Sequence, residues 1–326
     1  MEGLTTLIRN GNRRRTLAVV WLAGVALLAL LAPALPLPYP AGVPDLAHVA
    51  EAPARASHHW LGTDPQGCDV LSGLLFGART ALLLSLPAAL LAALLGGLAG
   101  GAAGFWGNRL RMSIPGGGLV AIIVARSVGV PMPALAMGAG VLGMLWAGRR
   151  MRRLSATIPV PLDSLVMAAA SSLDTVPRLV LVLALAARGG LSVAGLGLVL
   201  GLTSWSGPAR LVRARMLSIS HLPFIEAARA SGLSPARVWW HHALPHALRP
   251  LQTALPLSLA ALLALESTLS FLGVGLPPDV PSWGLQLAAA RQQPQAWWAI
   301  LFPALILSLT ILSFNILTAK RTSPAV

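Results

Sequence analysis

Lysine is almost absent from this chain. Lys320 is the single one, and Ala319 precedes it. A phosphate-binding P-loop needs a Gly-Lys-Ser/Thr run, so the chain carries no P-loop ATPase of its own. Cysteine is equally scarce: Cys68 stands alone. That excludes an intrachain disulfide and a cysteine-rich metal site. Charged residues make up only 10% of the chain, and just 10 of them are acids. What fills the space is apolar, with 56% of the 326 residues hydrophobic. No soluble domain of this size needs so much apolar surface, so its solvent is expected to be lipid.

Runs long enough to cross ~30 Å of hydrocarbon as helices are Leu17–Leu35, Thr80–Gly104, Leu165–Ala187, Leu191–Gly207, Leu251–Leu272 and Ala296–Leu317. Arg13-Arg14-Arg15 precede the first run, and no clean small-residue cleavage pattern follows it, so it is expected to stay as a signal anchor. A seventh run, 117–147, contains Arg126 and is interrupted by Pro131-Met132-Pro133, which breaks or kinks a helix.

The net charge of +14 is carried by short gaps between apolar runs. That is how a polytopic membrane protein places its basic residues, and it argues against nucleic-acid binding. Residues 1–16, 105–116, 148–162, 208–249 and the tail hold 18 of the 24 basic residues. The positive-inside rule puts all five segments in the cytoplasm. Segments 36–79, 188–190 and 273–295 are left outside. They hold Asp45, Glu51, Asp64, Asp69 and Asp279, half of all the acids. Both flanks of 117–147 are basic, so that run must enter and return. The chain therefore reads as an all-α polytopic membrane protein with six core transmembrane helices, an inserted hydrophobic hairpin and both termini cytoplasmic. Residues 1–79 form the N-terminal tail, first span and periplasmic segment; 80–318 form the transmembrane domain; 319–326 form a cytoplasmic tail. Within the outer segments, PSWGLQLAAAR reads as a short interfacial helix anchored by Trp283, and Trp297-Trp298 as an aromatic belt at the last span.

Residues 226–245 read EAARASGLSPARVWWHHALP and are polar enough to lie outside the bilayer. They have the composition of two short helices meeting at a corner, spanning 222–245. The first runs from Leu222 to Ser231. Gly232 fits the left-handed position that ends a helix. Ser234 suits the N-cap and Pro235 the first helical position. The second helix is expected to run to about Leu244 and stop at Pro245.

The Glu-Ala-Ala, three residues, Gly, nine residues, two further residues, Leu-Pro pattern resembles the EAA motif of bacterial ABC importer membrane subunits. His242 stands where that family prefers Ile. Four more stretches resemble the dipeptide/oligopeptide/nickel branch and its second ("C"-type) permease. They are HHWLGTDPQGCDVLSGLLFGART at 58–80, SWSGPARLVRARMLSI at 204–219, LESTLSFLGVGLPPDVPSWG at 265–284 and FPALILSLTILSFNIL at 302–317. Cys68 replaces a usual Arg, and the insert at about 108–160 has no counterpart in the family pattern. The resemblance implies a type I ABC importer permease in the bacterial inner membrane, carrying peptides or a related small solute such as nickel by ATP-driven alternating access. It also implies partners: a second homologous permease, two ABC ATPase subunits on the cytoplasmic face, and a periplasmic or lipid-anchored substrate-binding protein. The ATPase-coupling residues would be Glu226, Ala227, Ala228, Gly232, Leu244 and Pro245. No catalytic residue and no cofactor is implied.

Three further charges sit within apolar runs. Asp174, Arg178 and Glu266 read first as structural contacts, with Asp174 and Arg178 one helical turn apart. The alternative is a polar site along the path. An ion-coupled secondary transporter using Asp174 and Glu266 is the rival function; a membrane enzyme would need clustered polar residues that the sequence does not bring together. His241, His242 and His246 are interrupted by Pro245 and have no acid or cysteine nearby, so no metal site is expected there. His58 and His59 read as loop residues, since adjacent side chains point apart. Cys68 reads as a lone small residue near the outer surface. Gly97/Gly101 and Gly100/Gly104 form two GxxxG pairs that suit close helix packing.

Overall fold

The structure, a computed structural model, describes residues 2–55, 57–115, 155–186 and 191–319. The expected hairpin at 117–147 lies outside the described residues. Helix forms at all six apolar runs. Among the described residues, four stretches are long and apolar enough to cross a membrane: Arg13–Ala34 in α1 (Glu2–Leu31) and its 3-10 extension, α2 (Val70–Trp106), α10 (Arg249–Phe271) and α12 (Trp297–Thr318).

The other two runs are not single straight spans. Leu162–Thr175 (α3) and Arg178–Ala186 (α4) meet at an 80° bend, and the pair makes a fifth span if counted as one. The cause is Pro177, which lacks an N–H and pushes the preceding residue out of the helical region. Val176 is accordingly extended, at φ −91° and ψ 123°. The run Leu191–Gly207 is divided after Thr203 into α5 (Val193–Thr203) and α6 (Ser206–Ile219). The remaining helices are α7 (Pro223–Ala230), α8 (Pro235–Arg237), α9 (Leu244–Ala247) and α11 (Trp283–Ala290).

Among the described residues, one feature departs from an all-helical chain. β1 (Leu110–Pro115) pairs antiparallel with β2 (Ser155–Val160), with Leu110 opposite Val160 and Pro115 opposite Ser155. The chain therefore leaves β1 and rejoins β2 at neighbouring points.

α2 is the axis of the fold, touching α1, α3, α5, α6, α10 and α11. Its 37 residues measure roughly 55 Å at ~1.5 Å per residue, well beyond ~30 Å of hydrocarbon, so both ends project. It begins ten residues before the expected Thr80 because Asp69 caps it, the carboxylate accepting from the Ser72 N–H at 2.8 Å. Around the Asp69 end, Val70, Leu74 and Ala78 pack with Leu263, Trp283 and Trp298. Midway, Leu84 and Ala88 pack with Leu196, Leu200 and Leu262. Towards the Trp106 end, Leu98 and Phe105 join α6 and the α7–α9 segment. Large exposed apolar side chains such as Leu17, Leu94 and Leu312 lie on the outer faces of the long helices. Water would penalise such a surface and lipid tails would not.

Candidate functional site

Glycine makes the Trp106 end of α2. A Cβ at Gly100 would fall on the Ala209 carbonyl, and one at Gly96 on the Trp205 carbonyl. At Gly104 it would lie 2.8 Å from Met216 Cβ. These three glycines let the backbone of α6 press against α2. Gly97 and Gly101 lie on another face, where an added Cβ would meet Leu248 Cδ2 and Leu244 Cδ1, each at 2.8 Å. The two expected GxxxG pairs thus seat different neighbours: one holds α6, and the other holds the joint between α9 and α10.

On this seat rests the 222–245 segment. α7 starts at Pro223 and ends at Ala230, and Gly232 takes φ +77° as expected, in open space. Ser234 occupies the N-cap position of α8 in extended geometry, but its side chain makes no capping bond; its carbonyl accepts from the Val238 N–H at 3.0 Å. The expected stop at Pro245 is corrected. After α8 the chain widens into a π-helical turn, Val238–Ala243, then continues through α9 to Ala247. Proline inside an α-helix clashes with the carbonyl four residues back. The wider turn, in which the Leu244 N–H bonds to the Trp239 carbonyl, accommodates Pro245 without ending the helical path.

The segment has two faces. Ile225, Val238, Ala243, Leu244 and Ala247 are buried against Val212, Met216 and Ile219 of α6. Glu226, Ala227, Gly232 and Pro245 are exposed, and Ala228 is half-buried against the inner cluster. Of the six expected coupling residues, Leu244 therefore cannot meet a partner directly. It is 4% exposed and locks the segment to Gly101.

The exposed face also presents large apolar groups that sequence reasoning did not single out. Leu222, Phe224 and Trp240 are 40%, 41% and 53% exposed. Arg229 and Arg237 are exposed as well, and the Arg229 guanidinium sits 5.2 Å from the Phe105 ring centroid. Aromatic residues in an otherwise polar stretch were the available signal. His242 and His246 are half-buried, with His246 5.3 Å from the Phe224 ring, whereas His241 is exposed.

The intramembrane charges separate. Asp174 accepts from Ser206 Oγ at 2.8 Å and pairs with Arg210 at 2.9 Å; Arg178, the expected partner, is 3.8 Å away. Arg210 also donates to Ser171, and Arg213 forks onto Asp163. These contacts tie α3 to α6, beside the glycine seat. Glu266, 1% exposed, accepts from Ser270 Oγ at 2.9 Å and Ser267 Oγ at 3.2 Å. Among the described residues, Asp174 and Glu266 share no partner.

At the Asp69 end, the expected interfacial helix is present as α11, but Trp283 is no surface anchor. It is 2% exposed, lies on Gly77, and donates from Nε1 to the Leu74 carbonyl at 3.0 Å. Trp297 is exposed as a belt residue would be, whereas Trp298 is buried and donates to the Thr63 carbonyl at 2.9 Å. His58 is exposed as expected, but His59 is fully buried and stacks on Tyr39 at 3.9 Å. Cys68 is half-buried, and burial, with Asp64 and Asp69 nearby, pushes its thiol up to about 11. Burial likewise raises the Asp64 carboxyl, against the pull of the Cys68, Gln66 and Gly67 N–H groups.

Residues 139–320 match the family described as "Binding-protein-dependent transport system inner membrane component". The chain belongs to the inner-membrane permeases of ABC importers, in the peptide/oligopeptide family. It is 30% identical over 305 residues to the oligopeptide transport system permease protein OppC of Escherichia coli K12, covering 93% of this chain and 83% of that one. It is 28% identical over 307 residues to a peptide permease protein of Brucella suis biovar 1, with the same coverage. A peptide transport system permease protein of that organism is 35% identical over 158 residues, 48% of this chain and 53% of its own length. The permease is thus a multi-pass, membrane-embedded transport subunit.

Proposed function

We propose that the exposed face of α7–α9 is the docking surface for an ABC ATPase, and that this permease imports peptides by ATP-driven alternating access. The observation that carries the reading is the seating of that segment. It is seated on α2 through contacts that Gly97 and Gly101 permit and on α6 through a buried apolar cluster, so a push on Glu226, Ala227 or Gly232 would be passed to α2. Closely packed elements transmit such a push because their interfaces do not compress. Two ATPases would act together, one on this chain and one on a second, homologous permease. The bundle would then rock between inward- and outward-facing states, a population shift biased by ATP and by a loaded binding protein.

The Trp106 end of α2 is cytoplasmic in this reading, with both termini. The Asp69 end then faces the binding protein. The basic residues of 208–249 and of the N-terminal tail support that orientation. Peptide cargo is supported by the similarity to OppC and the peptide permeases; nickel has no comparable support. The separate environments of Asp174 and Glu266 give an ion-coupled mechanism no common site.

Reconstituted with its partners, the Glu226→Lys or Gly232→Pro variant should lose peptide-stimulated ATPase activity and uptake while still assembling in the membrane. Wild-type transport in both would end the docking assignment. Excess unlabelled peptide should compete the uptake of labelled peptide, and Ni²⁺ should not.

A further inference from the structure

The segment before α2 folds into a knot of carboxylates and imidazoles at the Asp69 end. Asp69 caps α2 with one oxygen and holds His59 Nδ1 with the other at 2.9 Å. The far nitrogen of that ring, His59 Nε2, is buried, has no hydrogen-bond partner and points at Asp45 Oδ2, 3.6 Å away. His48 Nδ1 reaches the same Asp45 oxygen at 2.9 Å. The other nitrogen of His48 faces Glu51 Oε2 at 3.9 Å, and that oxygen too is buried without a hydrogen-bond partner. Asp45 Oδ1 is occupied by the Ala47 N–H at 3.0 Å, which leaves Oδ2 for the centre.

We propose that Asp45, His48 and His59 bind one divalent transition-metal ion of the zinc class. The donor atoms of the three residues all lie within 4.8 Å of one another. Metal–ligand bonds of ~2.0–2.1 Å at tetrahedral angles put neighbouring donors roughly 3.3 Å apart, close to the spacing here. A gap of 3.6 Å is too long for a hydrogen bond but suits two ligands of one ion. Two imidazoles and a carboxylate select zinc, nickel, cobalt or copper over magnesium or calcium. Each histidine has a carboxylate on its outer side, Asp69 for His59 and Glu51 for His48. That is how metal-bound imidazoles are oriented.

Charge points the same way. Asp45, Glu51 and Asp69 lie together, and among the described residues their ion-pair partners are histidines alone, with no lysine or arginine. A dication would balance them. The His48 side chain is 40% exposed, so a fourth position stays open to water. The ion would bind three points of the 45–69 segment to the cap of α2.

The proposal stands apart from the transport assignment, since its test uses the isolated permease. The untagged full chain, purified in detergent and stripped with EDTA, is titrated with Zn²⁺, and metal per chain is counted after dialysis. Co²⁺ then reports tetrahedral coordination by its visible absorption. Wild type should retain one ion per chain, and His48→Ala, at a half-exposed position, should bind at least ~10-fold more weakly. The melting temperature of His48→Ala in EDTA should match wild type, which separates lost ligation from misfolding. A His241→Ala/His242→Ala control should bind as wild type does. Equal zinc in wild type and in His48→Ala, or loss of zinc in the control alone, overturns the proposal.

Discussion

At the Trp106 end of α2, side chains are absent so that backbones can touch; at the Asp69 end, side chains reach across gaps to do the joining. Gly96, Gly100 and Gly104 admit α6, and Gly97 and Gly101 admit Leu248 and Leu244. At the other end Trp283, Trp298, Asp69 and Gln286 each hydrogen-bond a distant or capping backbone group, and His59 lies buried among acids. α6 meets α2 mainly by shape, with the Arg213–Asp163 and Arg210–Asp174 pairs beside it, whereas the Asp69 end adds long-range directional bonds to its glycine contacts. Shape passes on a displacement with little loss, whereas hydrogen bonds fix a conformation. That contrast fits a driven end and a receiving end.

The contrast can be broken most severely at Gly100. Gly100→Val should destabilise the permease more than loss of the hydrogen-bonding side chains Asp69 or Trp283, since overpacking typically costs ~1–3 kcal/mol and occasionally more. Here the obstacle is the backbone of Ala209, which cannot swing aside. Gly24→Val, where an added Cβ meets nothing within 4 Å, should leave the melting temperature in detergent unchanged.

Next in size is Asp69→Ala. It removes the α2 cap and the partner of His59 Nδ1 together, and lost caps alone cost about 0.5–2 kcal/mol. Thermal unfolding should begin earlier, and limited proteolysis should cut within 45–69 before any other described segment. Trp283→Phe is milder. It keeps most of the packing on Gly77 but deletes the bond to the Leu74 carbonyl, a loss of ~1 kcal/mol. If it proved as costly as Gly100→Val, the two ends would not differ as described.

The smallest effect concerns reactivity rather than stability. A thiol pushed up to about 11 is almost wholly protonated at neutral pH, and only the thiolate attacks. Alkylation of Cys68 should therefore be slow at pH 7.5 and rise ~10-fold per pH unit up to that value. Rapid labelling at pH 7.5 would mean that the 64–69 turn is open rather than packed.

The two ends were also unequally legible. The 222–245 corner is local: Gly232, Pro235 and the Glu-Ala-Ala run stand close together, so propensity and motif agree on it. Its π-helical turn was hidden, because Pro245 signals a stop unless the preceding turn widens. The glycine pairs announced close packing without naming their partners. At the Asp69 end, Asp45, His48, His59 and Asp69 are spread over 25 positions and meet only because the chain reverses. It takes positive φ at Ala50, His58, Gly62 and Gly67. Trp283 and Trp298 looked like belt residues because hydropathy cannot tell a buried indole from an interfacial one. The bend at Pro177 was visible as a proline but not as an angle. The flanking charges predicted that 117–147 enters and returns; the pairing of β1 with β2 brings its two approaches together.

In the proposed docking, an ATPase meets the Trp106 end and only that end. Photocrosslinking in the assembled importer tests it, with a photoreactive residue replacing Ala227, exposed on α7, or Leu46, 80% exposed near the Asp69 end. An ATPase adduct is expected from position 227 and none from position 46. An adduct from 46, or none from 227 in a transporting complex, would contradict it.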